Sequence, residues 1–136
     1  MSSITLPVQW GDQDAFGHVN NTVFFRWFES ARVEYLGRCG LWGKRDADGV
    51  GPILANISCN YRQQLTFPDT VEVSARVTRI GRSSITMEHE VRSQKRQLLI
   101  ADGSSVIVTF DYRVQQSVPV PDDIRRAIET QEGRTF

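Results

Sequence analysis

The rhythm of apolar and polar residues changes along this chain, and each change marks an element. Between Thr22 and about Gly37 the apolar residues Phe24, Trp27, Phe28, Ala31 and Tyr35 recur at i, i+3, i+4, i+7 and i+11. Arg26, Glu29, Ser30 and Glu34 fill the opposite side. That period predicts an amphipathic helix, with Asn20 or Asn21 as its N-cap and Gly37 or Gly40 as its stop. Thr5 to Trp10 reads as a short strand, at an edge or a start because Pro7 lacks an N–H. After a breaker-rich loop over 41–52 (Gly43, Asp46, Asp48, Gly49, Gly51, Pro52) the period drops to two. Ile53, Ala55, Ile57, Cys59 and Tyr61 form the first apolar phase, then Val71, Val73, Ala75 and Val77. Ile85, Met87, His89 and Val91 form the third, and Val106, Val108, Phe110 and Tyr112 the last. Asp102-Gly103 stands before that last strand, or inside a longer one as a bulge. Pro119 and Pro121 close the strands, and Asp122 to about Thr130 forms a short terminal helix.

Strands with one apolar face each describe a half-buried antiparallel sheet. A helix of about 16 residues is roughly 24 Å long, and a ten-residue strand roughly 33 Å. One apolar helix is therefore covered by a sheet that curls around it. The expected class is α+β, a five-stranded antiparallel sheet wrapped around one long helix. The sheet's other face, rich in Thr, Ser, Glu and Arg, is left for water or a partner.

With 136 residues the chain fits one domain with a real core. Its 16 lysine and arginine residues balance 16 aspartate and glutamate residues, which argues against binding nucleic acid through its phosphates. No run approaches the roughly 20 apolar residues of a membrane span. The N-terminus lacks the basic start and apolar run of a signal peptide, so a soluble cytoplasmic protein is expected. Cys39 and Cys59 lie in no metal-ligand or CxxC spacing and read as free, buried or half-buried thiols. Two histidines, His18 and His89, are too few and too scattered to suggest zinc, so no metal is expected. His89 falls on the apolar phase of its strand and reads as a satisfied core or interface histidine.

The chemistry concentrates in Trp10-Gly11-Asp12-Gln13-Asp14-Ala15-Phe16-Gly17-His18-Val19-Asn20-Asn21. Two carboxylates, a histidine and two amides sit in a glycine-punctuated loop that runs straight into the helix. Such a loop sets a base or nucleophile beside backbone N–H donors that stabilise an oxyanion. Asp14 on its own could simply cap a turn or the helix, as aspartate in such loops often does. Asp12 reads as structural, bonding loop amides or an arginine.

This segment, with Phe25 to Leu36 after it, resembles the hotdog-fold acyl-CoA thioesterases of the 4-hydroxybenzoyl-CoA thioesterase type. Tyr61 to Asp69, Ile80-Gly81-Arg82-Ser83-Ser84, Ala101-Asp102-Gly103 and Phe110-Asp111 fall where that family's later landmarks fall. The similarity spans about residues 5–130. One departure is Gln64, where the family commonly has proline. The resemblance implies that Asp14 is the catalytic carboxylate, acting as nucleophile or general base. It implies that Gly17 permits the tight approach to the helix, and that a backbone N–H at Asn21, or at Thr22 one residue on, is the oxyanion donor. Asn20 matches the helix start. His18 positions Asp14 or substrate, with direct proton transfer as the alternative.

Arg82, with Ser83 adjacent, stands where related enzymes bind coenzyme A phosphates; Arg79 and Arg62 are weaker candidates. The bland alternative for Arg79 and Arg82 is a pair of solvated charges. Phe25 lies off the helix's main stripe and lines a pocket or a subunit contact, while Phe24 and Tyr61 bear on pocket depth. The implied reaction is hydrolysis of an acyl-CoA, with no cofactor beyond the coenzyme A of the substrate, in a homodimer or homotetramer. A carrier-protein thioesterase and a non-catalytic acyl-thioester-binding module are the alternatives.

Overall fold

In the computed structural model, which describes residues 1–42 and 49–136, the strands are β1 (Ser2–Pro7), β2 (Val50–Tyr61), β3 (Thr70–Ile80), β4 (Ser84–Ser93), β5 (Leu98–Asp111) and β6 (Gln116–Ser117). The helices are α1 (Asn21–Cys39) and α2 (Asp122–Glu132). The six strands form one antiparallel sheet in the order β1-β3-β4-β5-β2, with the two-residue β6 on β5. Apart from that short addition it is the five-stranded sheet expected, with α1 packed on one face in the hotdog arrangement. No helix among the described residues is long and apolar enough to cross a membrane.

The helical stripe holds. Phe24, Trp27, Phe28, Ala31 and Tyr35 are all buried. Asn20 is the N-cap, its side-chain oxygen accepting from Thr22 N–H, and Gly40 ends the helix with φ 83°. The core phases of β3 and β4 hold as well, since Val71, Val73, Ala75, Val77, Ile85, Met87, His89 and Val91 are buried. Cys39 is a buried and Cys59 a half-buried free thiol.

Four expectations need correction. The first strand is Ser2–Pro7, because Trp10–Asp12 closes into a 3-10 turn in which Asp12 Oδ2 accepts from Gln9 N–H at 2.8 Å. The expected loop over 41–52 ends earlier, since Val50, Gly51 and Pro52 already belong to β2; Gly43, Asp46 and Asp48 lie outside the described residues. In β2 the register shifts between Leu54 and Asn56. This irregularity reverses the alternation, so Ile53 pairs with Val108 on the outer face while Ile57, Cys59 and Tyr61 stay on the helix side.

In β5 the buried phase is inverted. Ser105, Ile107 and Thr109 are buried, while Val106, Val108 and Phe110 lie half-buried on the outer face. The sequence pattern misleads there because two core positions are hydroxyls. Each is satisfied locally: Ser105 Oγ donates to His89 Nε2 at 2.8 Å, and Thr109 Oγ1 donates to the Val118 carbonyl at 2.6 Å. Asp102-Gly103 lies within β5, and the irregularity near it falls at Ile100 instead.

His89 is 1% exposed. Its Nδ1–H donates to the Ser74 carbonyl, and its ring stacks on Phe28 with centroids 4.7 Å apart. Burial, with Arg32 nearby, pushes its pKa down to about 4, so it is a neutral core histidine. Arg32 itself is buried on α1, and its Nη1 has no hydrogen-bond partner among the described residues.

The C-terminal helix is clamped to the rest by Glu132. Its Oε2 accepts from the Tyr35 hydroxyl and from Val77 N–H at 3.0 Å, and its Oε1 lies 3.1 Å from the Met1 ammonium. Burial alone would raise this carboxyl's pKa, but the bonds outweigh it and hold it below the usual range. A carboxyl whose folded pKa is depressed stabilises above its unfolded pKa, and that gain vanishes as pH falls through the folded value. Glu132→Gln should therefore lower the melting temperature at pH 7 by several degrees, from a loss of about 1.5–3 kcal/mol. The gap to wild type should narrow steadily below about pH 4. Equal gaps in melts at pH 7 and pH 3 would contradict this.

Candidate active site

The loop between β1 and α1 is built by its own polar groups. Asp14 N–H donates to the His18 carbonyl at 2.8 Å, and Gly17 N–H to the Asp14 carbonyl at 3.1 Å. Asp14 Oδ1 accepts from Phe16 N–H at 2.9 Å and His18 N–H at 3.4 Å. Gly17 takes φ 79° to close this turn, a conformation that L side chains adopt at a cost. Val19 N–H donates to the Leu65 carbonyl, and Asn20 N–H to the Asp12 carbonyl, which pins the loop to the segment after β2 and to itself. Asp12 is structural, as the sequence suggests. The carboxylate of Asp14 is thus held by one oxygen. Its Oδ2 accepts no hydrogen bond among the described residues.

The first turn of α1 separates the two candidate donors. Thr22 N–H is taken by Asn20 Oδ1 at 3.0 Å, and Val23 N–H by the Asn20 carbonyl at 3.0 Å. Asn21 N–H meets no acceptor among the described residues. It sits at the positive end of a helix of 19 residues.

A cavity of about 350 Å³ opens at this junction. It is lined by Asp14, His18, Val19, Asn21 and Phe24 from the loop and helix, and by Tyr61 to Leu65 from the end of β2. The Tyr61 ring meets Phe24 edge-on at 5.2 Å, and its hydroxyl donates to the Asn21 carbonyl at 2.9 Å. Burial, then Cys59 beside it, pushes the Tyr61 hydroxyl's pKa up to about 12. Arg62 forks onto Asp102 with two 3.2 Å bonds, and Asn60 donates to the same carboxylate at 2.9 Å. Those bonds hold the Asp102 pKa below its usual value.

Of the residues singled out in the sequence, the cavity gathers Asp14, His18, Asn21, Phe24, Tyr61 and Arg62. Gly17, Asn20 and Thr22 shape the loop and helix start around it. Phe25 does not line it; half-buried, it packs edge-on against Phe28 at 6.4 Å. Arg79, Arg82 and Ser83 lie at the far end of β3 and β4, roughly 30 Å of strand from the loop.

Gln63 and Leu65 line the cavity without having been singled out, beside Gln64, which the sequence marked only as a departure from the family's usual proline. Their one signal was their place directly after Tyr61-Arg62. Arg96 also went unnoticed; its Nη1 donates to the Gln64 carbonyl at 2.6 Å and so braces that wall. A larger groove of about 540 Å³ crosses the sheet's outer face among Arg76, Glu88, Glu90 and Asp102. It has no helix N-terminus, and its three carboxylates, Glu88, Glu90 and Asp102, are each paired with an arginine.

The sequence profile of the thioesterase-like superfamily matches residues 8–128, and the chain belongs to that superfamily. It is 21% identical over 116 residues to the long-chain acyl-CoA thioesterase FadM of Escherichia coli K12, covering 85% of this chain and 88% of the relative. Two solved structures are similar throughout. The PA2801 protein of Pseudomonas aeruginosa is 35% identical with a TM-score of 0.81, over 93% of this chain and 96% of that one. A thioesterase from Thermus thermophilus, solved with coenzyme A and zinc, is 30% identical with a TM-score of 0.86, over 98% of this chain and 96% of that one.

Proposed function

We propose that this protein hydrolyses acyl-CoA thioesters to a free acid and coenzyme A. The observation that carries the reading is one cavity lined by both Asp14, whose carboxylate keeps one oxygen free, and Asn21, whose helix-terminal N–H has no acceptor among the described residues. The thioester carbonyl oxygen accepts from Asn21 N–H, which stabilises the charge that develops there. Asp14 Oδ2 either attacks the carbonyl carbon, giving a mixed anhydride that water then cleaves, or takes a proton from an attacking water. In both routes one water is consumed, the C–S bond breaks and the thiolate leaves. A thiol has a reference pKa near 8.5, so it leaves without a strong general acid. His18, whose backbone rather than its ring bonds Asp14, presents its ring to the substrate.

The working unit is a homo-oligomer. In the single chain β2 is an edge strand, and Phe16 and Trp10 on the loop are 85% and 74% exposed. A second copy covers such surfaces. Arg79, Arg82 and Ser83, too far from their own loop, then serve the coenzyme phosphates of a partner's site.

The test is thiol release from a panel of short, long, branched and aromatic acyl-CoAs, with acyl-carrier-protein thioesters in parallel. Turnover of at least one acyl-CoA, faster than of the same acyl group on carrier protein, is expected. A folded protein that releases no thiol from any acyl-CoA overturns the reading.

A further inference from the structure

We infer that Tyr61 is a positioning residue, which holds the carbonyl of Asn21, the first residue of α1, through its hydroxyl so that the helix start, and with it the adjoining Asn21 N–H, stays fixed at the cavity. The inference rests on the proposed thioester hydrolysis for its kinetic consequence, though not for its structural one. The first turn of a helix lacks the full hydrogen-bond ladder and frays unless something outside it supplies bonds. Asn20 supplies them inward, to Thr22 and Val23. Asn21 receives its support from another element. The Tyr61 hydroxyl, forty residues away in sequence, donates to its carbonyl at 2.9 Å.

The donor is itself well anchored. Its ring rests edge-on against Phe24 on the same helix. The two residues after it, Arg62 and Gln63, both donate backbone N–H bonds to the Ile100 carbonyl, at 2.8 and 3.0 Å. The helix start is therefore tied to the cavity's far wall. The raised pKa of the hydroxyl keeps it a donor through any usual assay pH. An oxyanion donor acts only if it needs no reorganisation at the moment of reaction. A displacement of the order of 1 Å at such a site costs about 100-fold. A bond that limits fraying without touching substrate should be worth somewhat less.

Tyr61→Phe isolates the hydroxyl, since the ring contact with Phe24 remains. On a short acyl-CoA it should lower kcat about 10-fold while KM stays within twofold, and the affinity for a non-hydrolysable thioether analogue should not change. Tyr61→Leu also removes the ring and should add a rise in KM. Amide hydrogen exchange, read by NMR, reports on the structure without any activity: the Thr22 and Val23 amides, both bonded to Asn20, should exchange at least several-fold faster in Tyr61→Phe, with those of β3 and β4 unchanged. A rise in KM at constant kcat in Tyr61→Phe would make Tyr61 a wall for substrate and overturn the inference, as would unchanged exchange at Thr22 and Val23. If wild type hydrolyses no thioester, the proposed function fails, and the exchange experiment still decides the role of Tyr61.

Discussion

Asp14→Asn should lower kcat by at least 100-fold with KM nearly unchanged. The size follows from the loss of a general base or nucleophile, typically 10²- to 10⁴-fold. This substitution is the informative one because of what it keeps. In the structure Asp14 Oδ1 accepts from Phe16 N–H and His18 N–H, and its backbone bonds the His18 carbonyl. An asparagine carbonyl oxygen can take both side-chain bonds, so the turn survives. What disappears is the charge and basicity at the second oxygen. If Asp14 only closed the turn, the variant would retain most of its activity. If it carries the chemistry, the variant binds substrate and does not turn it over. Thiol release under saturating acyl-CoA, with circular dichroism to verify the fold, separates the two. Activity within threefold of wild type would remove Asp14 from the mechanism.

How far the sequence could be read depended on whether one face of an element faced one environment. The stripe on α1 and the phases of β3 and β4 were legible because each buries a uniform apolar face. β5 was not. Its core face carries Ser105 and Thr109, whose hydroxyls are satisfied by a histidine and a carbonyl that only the folded chain brings near. Its outer face carries Val106, Val108 and Phe110, which imitate a core phase. β2 was half legible, because a one-residue irregularity at Ala55 turns its apolar phase over and leaves no mark in the composition.

The site followed the same logic. Loop and helix start were visible as one contiguous motif, and the fold brings Asp14, His18 and Asn21 to one cavity with Tyr61 and Arg62. The choice between Asn21 and Thr22 as the free N–H needed the geometry of the Asn20 cap. The buried guanidinium of Arg32, placed among helix residues that looked amphipathic, gave no signal at all. The distance of Arg82 from the loop could not be read from spacing, because it depends on the direction in which β3 leaves the loop.

Gly103→Ala should be among the most destabilising single substitutions in the chain. Glycine inside a strand normally weakens it, so its presence in the middle of β5 calls for a close approach. The structure supplies one. A Cβ there would lie 2.1 Å from the Ser58 carbonyl oxygen and 2.6 Å from Phe28 Cε2. The first obstacle is backbone, in a strand paired to β5 from Val50 to Tyr61. The second is a fully buried ring, itself stacked on His89. Neither can move without opening the β2–β5 ladder or lifting α1 from the sheet. Overpacking in ordinary cores costs about 1–3 kcal/mol, and this position, with a backbone clash added, should reach the upper end or beyond. That is a large share of a total stability of roughly 5–15 kcal/mol. The expected result is a fall of about 10 °C or more in melting temperature, and little soluble protein for Gly103→Val. Phe28→Leu should restore only a minor part of the loss in the double variant, because shortening the ring leaves the clash with Ser58 in place. A Gly103→Ala protein that melts within about 2 °C of wild type, a shift worth well under 1 kcal/mol, would mean that β2 yields where its pairing says it cannot. The close packing of α1 onto β5, which sets the helix start against the Asp14 loop, would then need another explanation.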